Sequence, residues 1–233
     1  MFRNPVKAIT VVATALTVWA CASRRDPYMG SPARGQMITH FDLALEVRQF
    51  ALHGELEEFR RAARDLAELE PAHDLPAEII LQLGPMRWEA REAAMADTRE
   101  EAAAGAAKIA QTCGTCHTEN GVPLGERFTL GGPLPVGSPA RHMSGLNWAS
   151  RLLWDGLVGP TDRTWFSGAE GIKELGALPE RLPTGQDANT VAAMGARLRQ
   201  LADRAVTSRT APERVEVLGD IWATCAACHA AGR

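Results

Sequence analysis

Residues 98–117, TREEAAAGAAKIAQTCGTCH, and residues 210–229, TAPERVEVLGDIWATCAACH, align without a gap. Thr98 falls on Thr210, and each opens an S/T-x-x-E capping box completed by Glu101 or Glu213. Ile109 falls on Ile221, and Thr112 on Thr224. Good helix formers fill both stretches, so each predicts a helix of about four turns that starts at a capped threonine and closes on C-x-x-C-H.

The closing pentapeptides, Cys113 to His117 and Cys225 to His229, use four of the five cysteines in the chain. On a helix, residues i and i+3 share one side, so two thiols can meet the two vinyl groups of one porphyrin, and the next residue sets an imidazole under the iron. The pattern is the attachment signature of a c-type haem. Two covalently bound haems are therefore expected, on Cys113 and Cys116 and on Cys225 and Cys228, with His117 and His229 as iron ligands. A structural zinc site would want its cysteine pairs closer in sequence, with no need for a histidine after each. A redox C-x-x-C would want a βαβ setting, and nothing here alternates in that way. Disulfides alone leave both histidines unexplained.

Further upstream, residues 40–54 and 142–156 pair as HFDLALEVRQFALHG and HMSGLNWASRLLWDG. His40, Ala44, Val47 and Ala51 recur at helical spacing, as do His142, Leu146, Ala149 and Leu153. Gly54 and Gly156 are expected to end these helices as left-handed caps. Helices are predicted over 37–53, 55–70, 76–96 with a break at Gly84-Pro85, and 98–117, then over 141–155, 167–177, 187–207 and 210–228. The fold class is all-α, as two tandem four-helix bundles, each with its C-x-x-C-H site at the end of the fourth helix. In an up-down-up-down bundle the first helix starts where the fourth ends. That brings His40 toward His117 and His142 toward His229 as second axial ligands. Met37, one turn before His40, and Met143, beside His142, are the rival ligands. His53 reads as a surface or capping residue, and His73 as a solvated loop residue. Trp88, Trp148, Trp154 and Trp222 read as core or haem-packing residues.

A haem motif at the end of the last helix of a four-helix bundle, with the distal residue on the first, resembles the class II c-type cytochromes, the cytochrome c-prime family. The resemblance spans nearly all of residues 37–233, twice over. It implies the proximal role for His117 and His229. In that family the distal position is often apolar or a methionine; His40 and His142 depart from this and favour ligation by two histidines.

The N-terminus, MFRNPVKAITVVATALTVWAC, places two basic residues before an apolar run from Ala8 to Ala20. That length suits an export signal and is short for a bilayer span. Val18-Trp19-Ala20-Cys21 resembles a bacterial lipobox, which implies acylation of Cys21 and a membrane tether; cleavage without acylation is the alternative. The organisation expected is a signal peptide over 1–21, a flexible tether over 22–36, a first haem bundle over 37–125, a Gly/Pro-rich connector over 126–140 and a second haem bundle over 141–233. Apolar residues make up 45 % and charged ones 23 %, enough to bury a core. Arginines far outnumber the three lysines, Lys7, Lys108 and Lys173, but they interleave with acids and the net charge is -3, which argues against a nucleic-acid partner.

Iron held by two histidines has no open position, and it can change oxidation state with little rearrangement. The function expected is single-electron transfer between redox partner proteins on the periplasmic side of a bacterial membrane, free or within a larger membrane complex. A gas-binding or peroxide-reducing protein with one displaceable axial ligand is the alternative.

Overall fold

The computed structural model describes residues 32–73, 75–122, 124, 139–177 and 187–231. The leader, Cys21, most of the 22–36 tether and residues 126–138 of the connector lie outside the described residues. Among the described residues there are eight helices and no strand: α1 (Pro32–His53), α2 (Leu56–Glu68), α3 (Ala77–Ala93), α4 (Arg99–Glu119), α5 (Pro139–Val158), α6 (Asp162–Leu175), α7 (Ala188–Thr207) and α8 (Ala211–Ala231). The protein is all-α. None of these helices is long and apolar enough to cross a membrane.

The ends of the helices follow local chemistry. Thr98 caps α4 by accepting from the Glu101 amide, while Glu101 reaches back to the Thr98 amide, so two orphan donors are met at once. Thr210 and Glu213 repeat the exchange ahead of α8. Gly54 takes φ +67° at the end of α1, the left-handed cap expected of it.

Four features differ from expectation. Gly156 is not a cap: α5 runs through it, and a Cβ there would stand 2.8 Å from the Trp165 amide nitrogen, so the missing side chain serves the approach of α6. Pro85 does not break α3. Gly84 offers it no Cβ to clash with, and the Leu81 carbonyl that loses its donor lies on an exposed turn where water can serve it. Trp88 is 56 % exposed, because its place on α3 faces away from α2 and α4. Residues 32–36, assigned to the tether, already belong to α1.

In the first half α1 packs on α2, α2 on α3, α3 on α4 and α4 on α1; in the second α5 packs on α6, α6 on α7 and α7 on α8. The halves meet chiefly through α4 and α8, the two helices that carry the C-x-x-C-H motifs, with α1 also on α8 and α5 on α4. One buried cluster runs through both, from Val47, Phe59 and Leu66 to Trp154, Trp165 and Trp222. Small residues allow the close crossing. A Cβ on Gly219 of α8 would lie 3.2 Å from the Ala104 backbone of α4, and Ala102, Ala103, Ala106 and Ala107 are all buried. The two helices run antiparallel: Gly219 faces Ala104, while Arg99, at the start of α4, and Ala226, near the end of α8, both abut Gly54.

Candidate functional site

The first motif sits on the last turns of α4. His117 Nδ1 lies 2.8 Å from the Val158 carbonyl at the end of α5. A carbonyl can only accept, so the proton is on Nδ1 and Nε2 keeps its lone pair, the tautomer a metal ligand needs. Burial pulls the His117 pKa below the usual histidine range, and the bond to Val158 partly opposes this. His40, on the start of α1, is pulled down to about 4, first by burial and then by the neighbouring His117. Two neutral imidazoles thus stand together at this motif. Met86 of α3 joins them, with Sδ 3.3 Å from His40 Nε2. Cys116 is bracketed by Gln82, whose Oε1 is 3.8 Å from its sulfur, and by Asn120, which donates to its carbonyl.

The second motif closes α8 and opens on a cavity of about 240 Å³ lined by Cys225, Cys228 and His229. Met143 and Asn147 of α5 and Met194 of α7 form much of the opposite wall. His142 is not among the lining residues. It is 5 % exposed, its Nε2 makes no hydrogen bond, and it shares a helical stripe with Gly145 and Ala149, which pack on α6. The neighbouring stripe, with Met143, Leu146 and Asn147, faces the motif, and Ser150 on it accepts from Trp222 Nε1 at 2.7 Å. So the structure brings His40 to His117 but does not bring His142 to His229.

The ring beside His229 is His53, from the end of α1, with centroids 4.8 Å apart. His53 also lines the cavity, contrary to the surface or capping role expected of it. Arg48, one turn and a half earlier on α1, is 5 % exposed and donates to Asn147 Oδ1 at 3.0 Å. Burial brings its pKa down to about 10, with Asp155 and Cys225 pulling the other way and Arg151 adding to the fall. A buried cation therefore stands behind the cavity wall. Met37 belongs to α1 and is half-buried, while His73 is exposed in the turn after α2.

Cys113, Cys116, Cys225 and Cys228 form no disulfide. Burial, and then the paired Cys116 or Cys228, pushes Cys113 and Cys225 each up to about 12. Thiol–disulfide chemistry wants the opposite shift. Among the described residues no three His, Cys, Asp or Glu side chains gather as an ion site. The donor set at each motif, two thiols one helical turn apart followed by an imidazole against a cavity or a second histidine, fits a planar macrocycle held by thioethers and an axial nitrogen. Met86, Met194 and His53 escaped sequence reasoning because each meets its motif from an element whose register the motif does not fix. Only the burial of Met86 beside Pro85 leaves a local trace. The chain matches no protein-family profile, no curated protein and no solved structure.

Proposed function

We propose that the chain is an exported dihaem c-type cytochrome, built as two tandem four-helix bundles and tethered to a membrane through an acylated Cys21. It passes single electrons between redox partner proteins, alone or within a membrane complex. When bound, each haem supplies a one-electron iron couple. Cys113 and Cys116 hold one haem and Cys225 and Cys228 the other, with His117 and His229 as axial ligands. The observation that carries the reading is the pair of half-buried imidazoles, His40 and His117, at the first motif. Val158 fixes the tautomer of His117 with its Nε2 lone pair free, and burial holds His40 uncharged at neutral pH, so neither imidazole would have to shed a positive charge to ligate. Arg48, buried and bonded to the cavity residue Asn147, would be available to offset an anionic group held nearby.

At the second motif the cavity presents Met143 and Met194, and this favours a second reading there: a weak or displaceable axial position, open to gas or peroxide. One experiment separates the two. Optical spectra are recorded oxidised and reduced, with and without carbon monoxide, after mass spectrometry has counted covalent haem. Electron transfer at both centres predicts two low-spin haems indifferent to carbon monoxide; a displaceable site predicts that one binds it. His40→Ala should make the first haem alone high-spin and reactive to carbon monoxide. A chain carrying no haem, or a His40→Ala variant that stays fully low-spin, defeats the assignment.

A further inference from the structure

Each C-x-x-C-H motif is packed against the other half of the chain, at the C-terminal turn of that half's first helix. At the first motif, Gly114 meets the end of α5. A Cβ there would lie 2.0 Å from the Leu157 carbonyl oxygen and 3.0 Å from Pro160, so the motif backbone lies directly on that turn. The next carbonyl, that of Val158, receives the His117 Nδ1 proton. At the second motif, Ala226 takes the place of Gly114 and meets the end of α1. Its oxygen and Cβ lie 3.0 and 3.1 Å from the position of a Cβ on Gly54. Arg99, from the start of α4, locks that turn by donating to the Gly54 carbonyl at 3.0 Å. His53 closes α1 as Val158 closes α5, and its ring lies on His229 at 4.8 Å with the planes 27° apart. Gln49, one turn back on α1, holds His53 in turn, with Nε2 3.2 Å from the imidazole.

From this we infer that His53 is a positioning residue for the second haem site, supplied by the half of the chain that carries the first. The inference rests on the haem reading above. A histidine ligand left free to rotate would sweep through orientations that cannot meet the iron; a ring stacked on it removes many of them, as outer contacts that orient a ligand do. His53 stacks on the ring of His229 and would guide that ligand by limiting its rotation. The mirrored contact at His117 is a carbonyl, which fixes the tautomer as well. The two centres therefore receive different support, although their motifs are alike.

The test uses the full-length holoprotein and three variants: His53→Ala, His53→Phe and His40→Ala. Mass spectrometry first counts haem on the 113–116 and 225–228 peptides; potentiometric titration and electron paramagnetic resonance then follow the two centres. His53→Ala should shift one midpoint potential and its resonance signature, and His40→Ala should alter the other centre. His53→Phe, which keeps a flat ring against His229, should restore the first. Loss of haem from the 225–228 peptide alone in His53→Ala also supports the inference. It is overturned if His53→Ala acts on the centre that His40→Ala alters, if it changes neither, or if Phe rescues nothing. Wild-type protein without covalent haem would overturn the parent reading and this inference with it, an outcome told apart by the first mass measurement.

Discussion

His117 lies near enough to His40 to bear on its charge, and the reason is local. Helical spacing put His40 on the apolar stripe of α1, and the stripe had to face the core. On α5 the same spacing could not tell which of two neighbouring stripes would face α8, and there the adjacent Met143 lines the cavity in place of His142. Gly114 offers a test at the same scale. A methyl group there would overlap the Leu157 carbonyl, which is backbone and cannot swing aside. Gly114→Ala should lose about 1–3 kcal/mol in urea unfolding, as overpacked sites do. Gly35→Ala, a helical position with nothing within 4 Å, should be neutral or gain up to about 1 kcal/mol. Equal behaviour of the two variants would mean that α4 does not lie on the end of α5.

Asp155 is a second residue-scale case. It is 4 % exposed, and burial pushes its carboxyl from 3.8 up to about 6, with Arg151 and Arg48 only partly countering. A group whose pKa is higher folded than unfolded favours the fold while protonated; that contribution is complete below the unfolded value and disappears as pH rises through the folded one. Asp155→Asn cannot ionise. Relative to it, the wild-type chain should lose stability from about pH 4 to pH 7, by about 3 kcal/mol in total, since one pKa unit is worth about 1.4 kcal/mol. Stability differences measured across that range check this, and a difference that does not change with pH would put the carboxylate in water.

Among the elements, the helices with chemical punctuation were the legible ones. Thr98 and Thr210 start α4 and α8 where their capping boxes said they would, because a cap depends on residues three apart and on nothing else. Thr98→Ala should cost about 1 kcal/mol. The exchange is solvent-exposed, so unfolding of the variant should show the loss without a change in the burial-dependent slope. An unchanged midpoint would remove the cap from the account of α4. Breakers were read less well, since their effect depends on what surrounds them. Pro85 sits inside α3 because its neighbours are Gly84 and an exposed turn, and Gly156 is kept for the contact with Trp165. For Gly156 the deciding contact lies nine residues on, beyond any helical turn, and for Pro85 the exposure of the turn at Leu81 depends on how α3 packs.

For the whole molecule, the duplication visible in the sequence says that two similar halves exist but carries no information on how they join. The close crossing rests on the alanines of α4 against Gly219 of α8, and alanines also suit a helix for propensity alone, so the pattern is silent. Contacts such as His53 on His229 follow from that joint and lie beyond any local signal. The antiparallel crossing has a consequence for electron flow. With Ala104 facing Gly219, His117 and His229 lie on opposite sides of the crossing point, about 35 Å apart along the axes at 1.5 Å per residue. Two unit charges at roughly 30 Å interact by about 0.5 kcal/mol at an effective dielectric constant of 20, and by less in salt. Each centre should therefore titrate as if the other were absent. Removing one attachment site with Cys225→Ala and Cys228→Ala should leave the potential of the remaining haem within about 20 mV of its value in the two-haem protein, and the reciprocal Cys113→Ala and Cys116→Ala pair should do the same. A shift several times larger would require the centres to lie much closer than antiparallel α4 and α8 allow. On the proposed reading, independent centres at the two ends would serve as separate electron ports, each able to face a different partner, and the joint between the halves would hold the histidine of each port in place.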